Sequence, residues 1–259
     1  MLPLTQFQQK KVQIVFTDID DTLTDSGKLA ANAYTALWQL FESGIKVIPV
    51  TGRPAGWCEM IARLWPVRAV VGENGAFYFM HKNNKMQRHF ALPSLVRKES
   101  RRNLRTLGKE ILLKVPGTAI ASDQFSRLFD LAIDFCEDVP ALPLSKAQEI
   151  KKIFESKGAT AKLSSIHVNG WFGDFDKLSM CKIFAERELG LSAAKLNDVA
   201  AFIGDSPNDE PMFQFFNNSF GVANVKKFSG QMKFLPQFVS PSEGGSGFAE
   251  IANKLIELS

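Results

Sequence analysis

Cysteine is scarce in this 259-residue chain: Cys58, Cys136 and Cys181 lie far apart, with no CxxC spacing. That excludes a disulfide framework and a thiolate metal knuckle, and it suits buried thiols in a reducing compartment. Tyrosine is scarcer still, two copies against 22 phenylalanines, a bias for which we have no physical account. The three histidines, His81, His89 and His167, show no metal-ligand spacing and read as structural or exposed. No apolar run is long enough to span a bilayer, and Met1–Lys11 has no extended apolar stretch of the kind found in signal peptides. Neither sign of charge dominates: 31 basic residues against 27 acidic ones give +4, which is no argument for nucleic acid. Repeats and low-complexity linkers are also missing. These absences lead to the expectation of a cytoplasmic globular protein. A 45% hydrophobic content can build a sizeable core, and the length suffices for one large domain or two modest ones.

What is present is a change of pattern along the chain. Val12–Phe16 reads as a buried strand. Asn32–Ser43 carries apolar residues at helical spacing and stops at Gly44. Ile45–Val50 is a second strand, Pro54 opens a helix that runs to Trp65, and Val67–Val71 is a third strand. Strand, helix, strand, helix, strand implies a parallel sheet with right-handed crossovers. Then Phe77–Met80 and Met86–Phe90 flank Asn83-Asn84 as a hairpin. Pro93–Lys114 is a long helix rich in Arg and Lys, and Arg127–Phe135 alternates like a half-buried antiparallel strand. Ser145–Lys157 is helical, and Ala161–Ile166 and His167–Phe172 are strand material. Residues 92–172 thus read as an α+β insert. The parallel pattern resumes with a helix over Leu178–Leu189 closed by Gly190, strands at Val199–Ile203, Ser219–Val222 and Phe234–Val239, and a terminal helix over Gly247–Leu258. The expected division is a core domain of residues 1–91 and 173–259, interrupted by a second domain at 92–172.

Directly after the first strand stands Thr17-Asp18-Ile19-Asp20-Asp21-Thr22. Crowded carboxylates repel, and a divalent cation would relieve that cost, so the cluster points to a Mg²⁺ site at a strand's carboxyl end. It also reads equally well as an acidic turn that caps the next helix. Three further features sit at ends of core elements. Thr51-Gly52-Arg53 follows the second strand and offers a hydroxyl and N–H groups that suit a phosphate. Lys177 precedes a helix and can act as a point charge on a phosphoryl group. Gly204-Asp205-Ser206-Pro207-Asn208-Asp209 brings more carboxylates after another strand. If these meet on one sheet edge, they supply what phosphoryl transfer requires: charge neutralisation, donors for oxygens, and an aligned nucleophile.

In this order the motifs resemble the four signature motifs of the haloacid dehalogenase (HAD) superfamily. The insert lies between the second and third, and its twice-given helix–strand–strand order resembles a type IIB cap. Gly72-Glu73-Asn74-Gly75-Ala76 and Glu243-Gly244-Gly245-Ser246-Gly247-Phe248 resemble segments of the branch that holds sucrose-phosphate, trehalose-phosphate and mannosyl-phosphoglycerate phosphatases and phosphomannomutases. The resemblance implies an α/β Rossmann-like core with a parallel sheet and an inserted cap. It implies a Mg²⁺-dependent phosphatase acting on a small phosphorylated metabolite, a sugar phosphate, through an aspartyl phosphate. A phosphomutase, or a non-catalytic phospho-ligand-binding protein on the same fold, are the alternatives. Carried over, Asp18 is the nucleophile and a Mg²⁺ ligand. Asp20 is the general acid/base and a ligand through its carbonyl. Thr51 and Gly52 hold phosphoryl oxygens, Lys177 pairs with Asp18 and phosphate, and Asp205 and Asp209, with Asn208, complete the metal site.

Other residues keep plainer readings. Asp21 reads as a solvated or capping carboxylate. Arg53 either touches phosphate or makes a structural ion pair, and Glu73 and Asn74 either form a turn or touch substrate. Arg97, Arg101, Arg105 and Lys109, spaced by four, read as a solvated helix face. Trp171-Phe172 reads as hinge packing, and Asp130 and Asp134 as an exposed sheet face. A small-molecule substrate is expected, with no nucleic-acid or membrane partner, in a monomer or homodimer.

Overall fold

The computed structural model describes residues 1–8, 12–164 and 166–259. Ser165, within the strand expected over Ala161–Ile166, lies outside them. Six strands pair in parallel in the order Leu2–Pro3, Phe238–Val239, Asn218–Gly221, Ala200–Gly204, Ile14–Thr17, Lys46–Pro49. A parallel bridge from Val50 to Val71 leads on to an antiparallel meander of Val70–Gly72, Phe77–Lys82 and Lys85–Phe90.

The unbroken apolar run Ile14-Val15-Phe16 follows from burial on both faces. Val15 packs with Leu37 and Leu40 of the helix Ala31–Glu42 and with Phe248 and Ile251 of the helix Gly244–Glu257. Ile14 and Phe16 face the other way, onto Met180 and Phe184 of the helix Lys177–Leu189 and Met212 of the helix Glu210–Phe215. Strand Ile14–Thr17 therefore has a neighbour on either side, Lys46–Pro49 and Ala200–Gly204, each reached by a crossover. That is the switch point of a doubly wound sheet, where the carboxyl ends of the strands leave a crevice.

The insert has its own four-stranded antiparallel sheet, ordered Thr160–Leu163, His167–Trp171, Leu131–Asp134, Ala119–Ile120. Pairing puts Leu163, Val168, Ile133 and Ile120 on one face. There they pack with Leu104 and Ile111 of the helix Ser94–Lys114 and with Ile150 and Phe154 of the helix Leu144–Ser156. The opposite face carries Lys162, Asn169 and His167, and it lines a cavity shared with the core.

Several expectations need correction. The Arg127–Phe135 strand shrinks to Leu131–Asp134, preceded by a 3₁₀ turn over Ser122–Ser126. It is buried on both faces rather than one. Asp130 is not on an exposed sheet face, being held by Arg127 and Asn169. Asp134 is also buried and accepts the N–H groups of Cys136, Glu137 and Asp138. The Phe234–Val239 strand is only Phe238–Val239, because the N–H groups of Lys233 and Phe234 are taken by Glu210. Helices Ala193–Val199 and Glu210–Phe215 had no clear signal, being short. Of the basic series, Arg101, Arg105 and Lys109 are exposed, but Arg97 stacks over the Phe90 ring at 4.0 Å. Trp171 is packed in the core, stacked on Phe175.

One buried clasp joins insert to core. The Glu73 carboxylate accepts the N–H groups of Leu128, Phe129 and Asp130 from the insert and of Ala55 from the core, at 2.6–3.2 Å. Glu73 (φ 43°) and Asn74 (φ 57°) both adopt the left-handed conformation. Such strain persists only where surrounding bonds over-determine it. Beside it, buried Arg127 bonds Asp123 and Asp130 and donates to the Gly52 carbonyl at 3.0 Å. Burial and nearby Asp130 push the Glu73 carboxyl up to about 7, against the opposing pull of Arg127 and the N–H groups. Glu73→Ala is expected to strand those N–H groups and to destabilise the fold by roughly 3 kcal/mol or more, read as a lower urea midpoint. A midpoint unchanged from wild type would show that the clasp carries no weight.

Candidate active site

The sheet's switch point collects the motif residues because each lies one step beyond a strand of the same edge. Asp18 follows Ile14–Thr17, Thr51 follows Lys46–Pro49 and its bridge residue Val50, and Asp205 follows Ala200–Gly204. Lys177 arrives from a different direction, as the first residue of its helix. Asp176 caps that helix through a reciprocal bond with Ser179, so the D-K-L-S sequence itself sets where the lysine starts. Gly75 (φ 101°) lets the Asn74 turn lie against the backbone of Asp176 and Lys177, where a Cβ would collide.

Lys177 Nζ donates to Asp18 Oδ2 at 2.9 Å and to Asp209 Oδ1 at 2.8 Å. Asp209 Oδ2 also accepts the Asp205 N–H at 3.2 Å, an approach that Gly204 permits because a Cβ there would meet the carboxylate. Asp205 Oδ1 accepts the Thr22 hydroxyl at 3.1 Å. Asp18, Asp205 and Asp209 are buried, and each offers an oxygen within 4.8 Å of the others. Three negative charges thus face the one ammonium, a surplus of two when all are ionised.

The electrostatics register that surplus. Burial, with Asp209 and Asp20 nearby, pushes the Asp18 carboxyl up to about 7 despite Lys177. Burial and the charges of Asp209, Asp18 and Asp21 hold Asp205 well above the usual carboxylate range. Burial works against the Lys177 ammonium, but Asp18 and Asp209 outweigh it and raise its pKa. A hard divalent cation fits this donor set, which is all oxygen, compact, and two charges short of neutrality.

Asp20, the expected acid/base and carbonyl ligand, keeps its side chain outside the carboxylate cluster. Arg53 grips it in bidentate fashion, Nε and Nη2 at 2.8–3.0 Å, while Arg53 Nη1 lies 3.6 Å from Glu137 of the insert and its guanidinium covers Trp57. Of the two readings of Arg53, the structure contains the ion pair. Thr51 is buried, and its hydroxyl oxygen accepts the Arg53 N–H at 3.0 Å within the loop; it does not cap the helix Ala55–Leu64, whose N-cap is Pro54. Gly52 stands against the Asn74 amide, whose buried Nδ2 has no protein partner. The Asn208 amide oxygen accepts from the Ser206 hydroxyl at 2.9 Å, which orients its nitrogen the other way. Asp18, Asp20, Gly52, Arg53, Asn74, Asp205 and Asn208 all line one cavity of about 800 Å³ between core and insert.

Sequence reasoning missed the insert's share of this cavity. His167, expected to be structural or exposed, is buried in the cavity wall, and burial plus Arg127 lowers its pKa to about 4, so it is neutral at pH 7. Arg127 and Asn169 also line the cavity. The one available signal was charge spacing: Asp123, Arg127 and Asp130 stand four and three residues apart. Nothing in periodicity said that this triad folds back on the Thr51-Gly52-Arg53 loop.

Residues 15–113 match the model of the haloacid dehalogenase-like hydrolase family. No curated protein matches the sequence. Solved structures resemble the chain along nearly its whole length. A Thermoplasma acidophilum protein superposes with TM-score 0.75 at 21% identity, covering 96% of this chain and 100% of that one. A HAD/COF-like hydrolase from Plasmodium vivax gives 0.70 at 18%, covering 96% and 97%. The sucrose-phosphatase of Synechocystis, solved with sucrose and phosphate, gives 0.62 at 13%, covering 94% and 98%. The match to the haloacid dehalogenase-like hydrolase family thus covers residues 15–113, and the fold, a Rossmann-like core with an inserted cap, is shared with these structures along nearly the whole chain.

Proposed function

We propose that the protein is a Mg²⁺-dependent phosphatase that removes a phosphoryl group from a small metabolite, a sugar phosphate, by way of an aspartyl phosphate on Asp18. The observation that carries this reading is the buried trio Asp18, Asp205 and Asp209 around one ammonium, of which Asp18 and Asp205 line a cavity also lined by Asp20. Asp18, Asp205 and Asp209, with the main-chain carbonyl of Asp20, would hold the cation. When bound, it supplies charge neutralisation for the phosphoryl oxygens.

The chain's own residues account for the rest. Lys177 favours the ionised form of Asp18 against its burial and holds Oδ2, while Oδ1 accepts the Ile19 N–H at 2.8 Å. An Asp18 carboxylate oxygen attacks phosphorus, and the bond to the leaving oxygen breaks. Asp20 gives its proton to that oxygen, then takes one from the water that hydrolyses the aspartyl phosphate. Arg53 fixes the Asp20 carboxylate and must yield part of its grip as the proton moves. Thr51, the Gly52 N–H and the unpartnered Asn74 amide supply donors for the equatorial oxygens. The likeness to a sucrose-phosphatase structure supports a sugar-linked substrate by analogy of fold alone.

Asp18→Asn is expected to cut phosphate release at least 10³-fold while leaving the circular dichroism and melting profile native, since it is nearly isosteric. Wild-type turnover in that variant would sink the mechanism. EDTA is expected to abolish phosphate release, and Mg²⁺ to restore it. A phosphomutase would instead yield an isomerised product with little free phosphate. Metal affinity is expected to fall as pH drops through about 7, because the Asp18 carboxyl is then protonated in the metal-free protein and must lose that proton to bind. Calorimetric titration of Mg²⁺ between pH 6 and pH 8 checks this, and an affinity flat across that range contradicts it.

A further inference from the structure

Beside the main cavity runs a smaller one of about 230 Å³, along the seam between insert and core. The two share Asn74, Lys162 and Asn208 in their walls. Lys177, the partner of Asp18, also lines the seam, so the seam opens from the reacting centre itself.

Its donors lack acceptors. Among the described residues the buried Trp171 indole N–H has no partner, and neither has the buried Asn74 amide nitrogen. Lys162 makes no hydrogen bond or ion pair with any described residue, whereas the other lysines around the main cavity are engaged, Lys151 by Glu155 and Lys227 by Glu243. Buried donors in native proteins are almost always met, by protein, water or ligand. Two acidic residues, Asp174 and Asp176, also border the seam. Asp176 is spent on the helix cap, and Asp174 is exposed and pairs with none of the three donors. Register explains the arrangement. Lys162 lies opposite Asn169 and Thr160 opposite Trp171, so the lysine and the indole belong to the sheet face turned toward the core.

Resting on the phosphatase reading, we propose that the seam binds a second, compact anionic group on the leaving part of the substrate, held by Lys162 and the Trp171 indole N–H. The substrate class is then an acidic phosphoester, one that carries a carboxylate or a second phosphoryl group, rather than a neutral sugar phosphate. A volume of about 230 Å³ equals about eight waters at ~30 Å³ each, so the group is small and close to the phosphoester.

Calorimetry with Mg²⁺ and three non-hydrolysable phosphonates tests this on the full-length protein. 3-Phosphonopropionate and propane-1,3-bisphosphonate each carry the second anion, as a carboxylate or a phosphoryl group, and propylphosphonate carries none. One of the two doubly acidic probes is expected to bind about ten- to a hundredfold more tightly than propylphosphonate, the range for a charge-assisted hydrogen bond, and which one tells the source of the group. Lys162→Met is expected to collapse that ratio to within about threefold, and Trp171→Phe, which keeps the ring stack, to reduce it. Lys109→Met, on the exposed face of the helix Ser94–Lys114, keeps it. Equal affinity for all three probes, no binding of either acidic probe, or a ratio that survives Lys162→Met would each overturn the inference. Phosphate release without an acidic preference defeats this inference alone. An acidic preference in binding without phosphate release from any ester defeats the phosphatase reading alone.

Discussion

A single buried ammonium holds the centre of this molecule together. Burying an isolated carboxylate costs several kcal/mol even after relaxation, and here three share one small space. Lys177 bonds two of them and lies at the point where the third is tied to its neighbour, through the Asp205 N–H on Asp209. Its own position depends on features that touch no substrate: the Asp176–Ser179 box that starts the helix, and Gly75, which lets the turn beside it come close. The remaining surplus of negative charge is a cost that folding alone does not remove. A chain selected only for stability has no reason to carry it, which is why the cluster speaks for cation chemistry rather than for helix capping.

The second constraint is mechanical. Glu73 ties the backbone of residues 128–130 to the core, and Arg127 ties the same stretch to the Gly52 carbonyl. The Thr51-Gly52-Arg53 loop and the insert therefore share a buried hydrogen-bond network rather than meeting at a loose hinge. Moving the insert away would expose three N–H groups bonded to Glu73 at once, so opening over this edge is costly, and access to the cavity falls to the sides that lack such bonds. The left-handed Glu73-Asn74 pair makes sense in these terms. The same turn that aims the Glu73 carboxylate at the insert leaves the Asn74 amide beside Gly52.

Much of this was legible in the sequence, but unevenly. The core was readable because its signals are local and repeated: an apolar strand, then a carboxylate or hydroxyl, then a helix, returning at Asp18, Thr51 and Asp205. The hairpin at Asn83-Asn84 and the stop at Gly190 were readable for the same reason. The insert was readable in outline only. Asp130 and Asp134 alternate like an exposed face, and periodicity cannot know that Arg127, Asn169 and three N–H groups fill their bonds. Arg53 shows a different limit. A loop motif says that an arginine is present, whereas its partner Asp20 comes from 33 positions earlier. His167 and Lys162 looked ordinary because strand pairing, not sequence, brings them to the cavity wall.

That last point bears on how such a molecule can change its substrate. The period-2 pattern of the insert does two jobs with one sheet. Leu163, Val168 and Ile133 hold it to its helices, and the alternate positions are thereby released to face the core. Those alternate positions are not equivalent. Asp134 closes a turn and Asp130 anchors Arg127, so substitution at either strands buried partners and costs stability. Lys162 bonds none of the described residues, and Trp171 leaves only its N–H unspent among them while its ring is packed on Phe175. Replacing Lys162 therefore strands no buried partner. Recognition can drift at that position while the carboxylates, Lys177 and the Glu73 clasp stay fixed, because the groups that choose the leaving group and the groups that hold the structure lie on the same face but share almost no bonds.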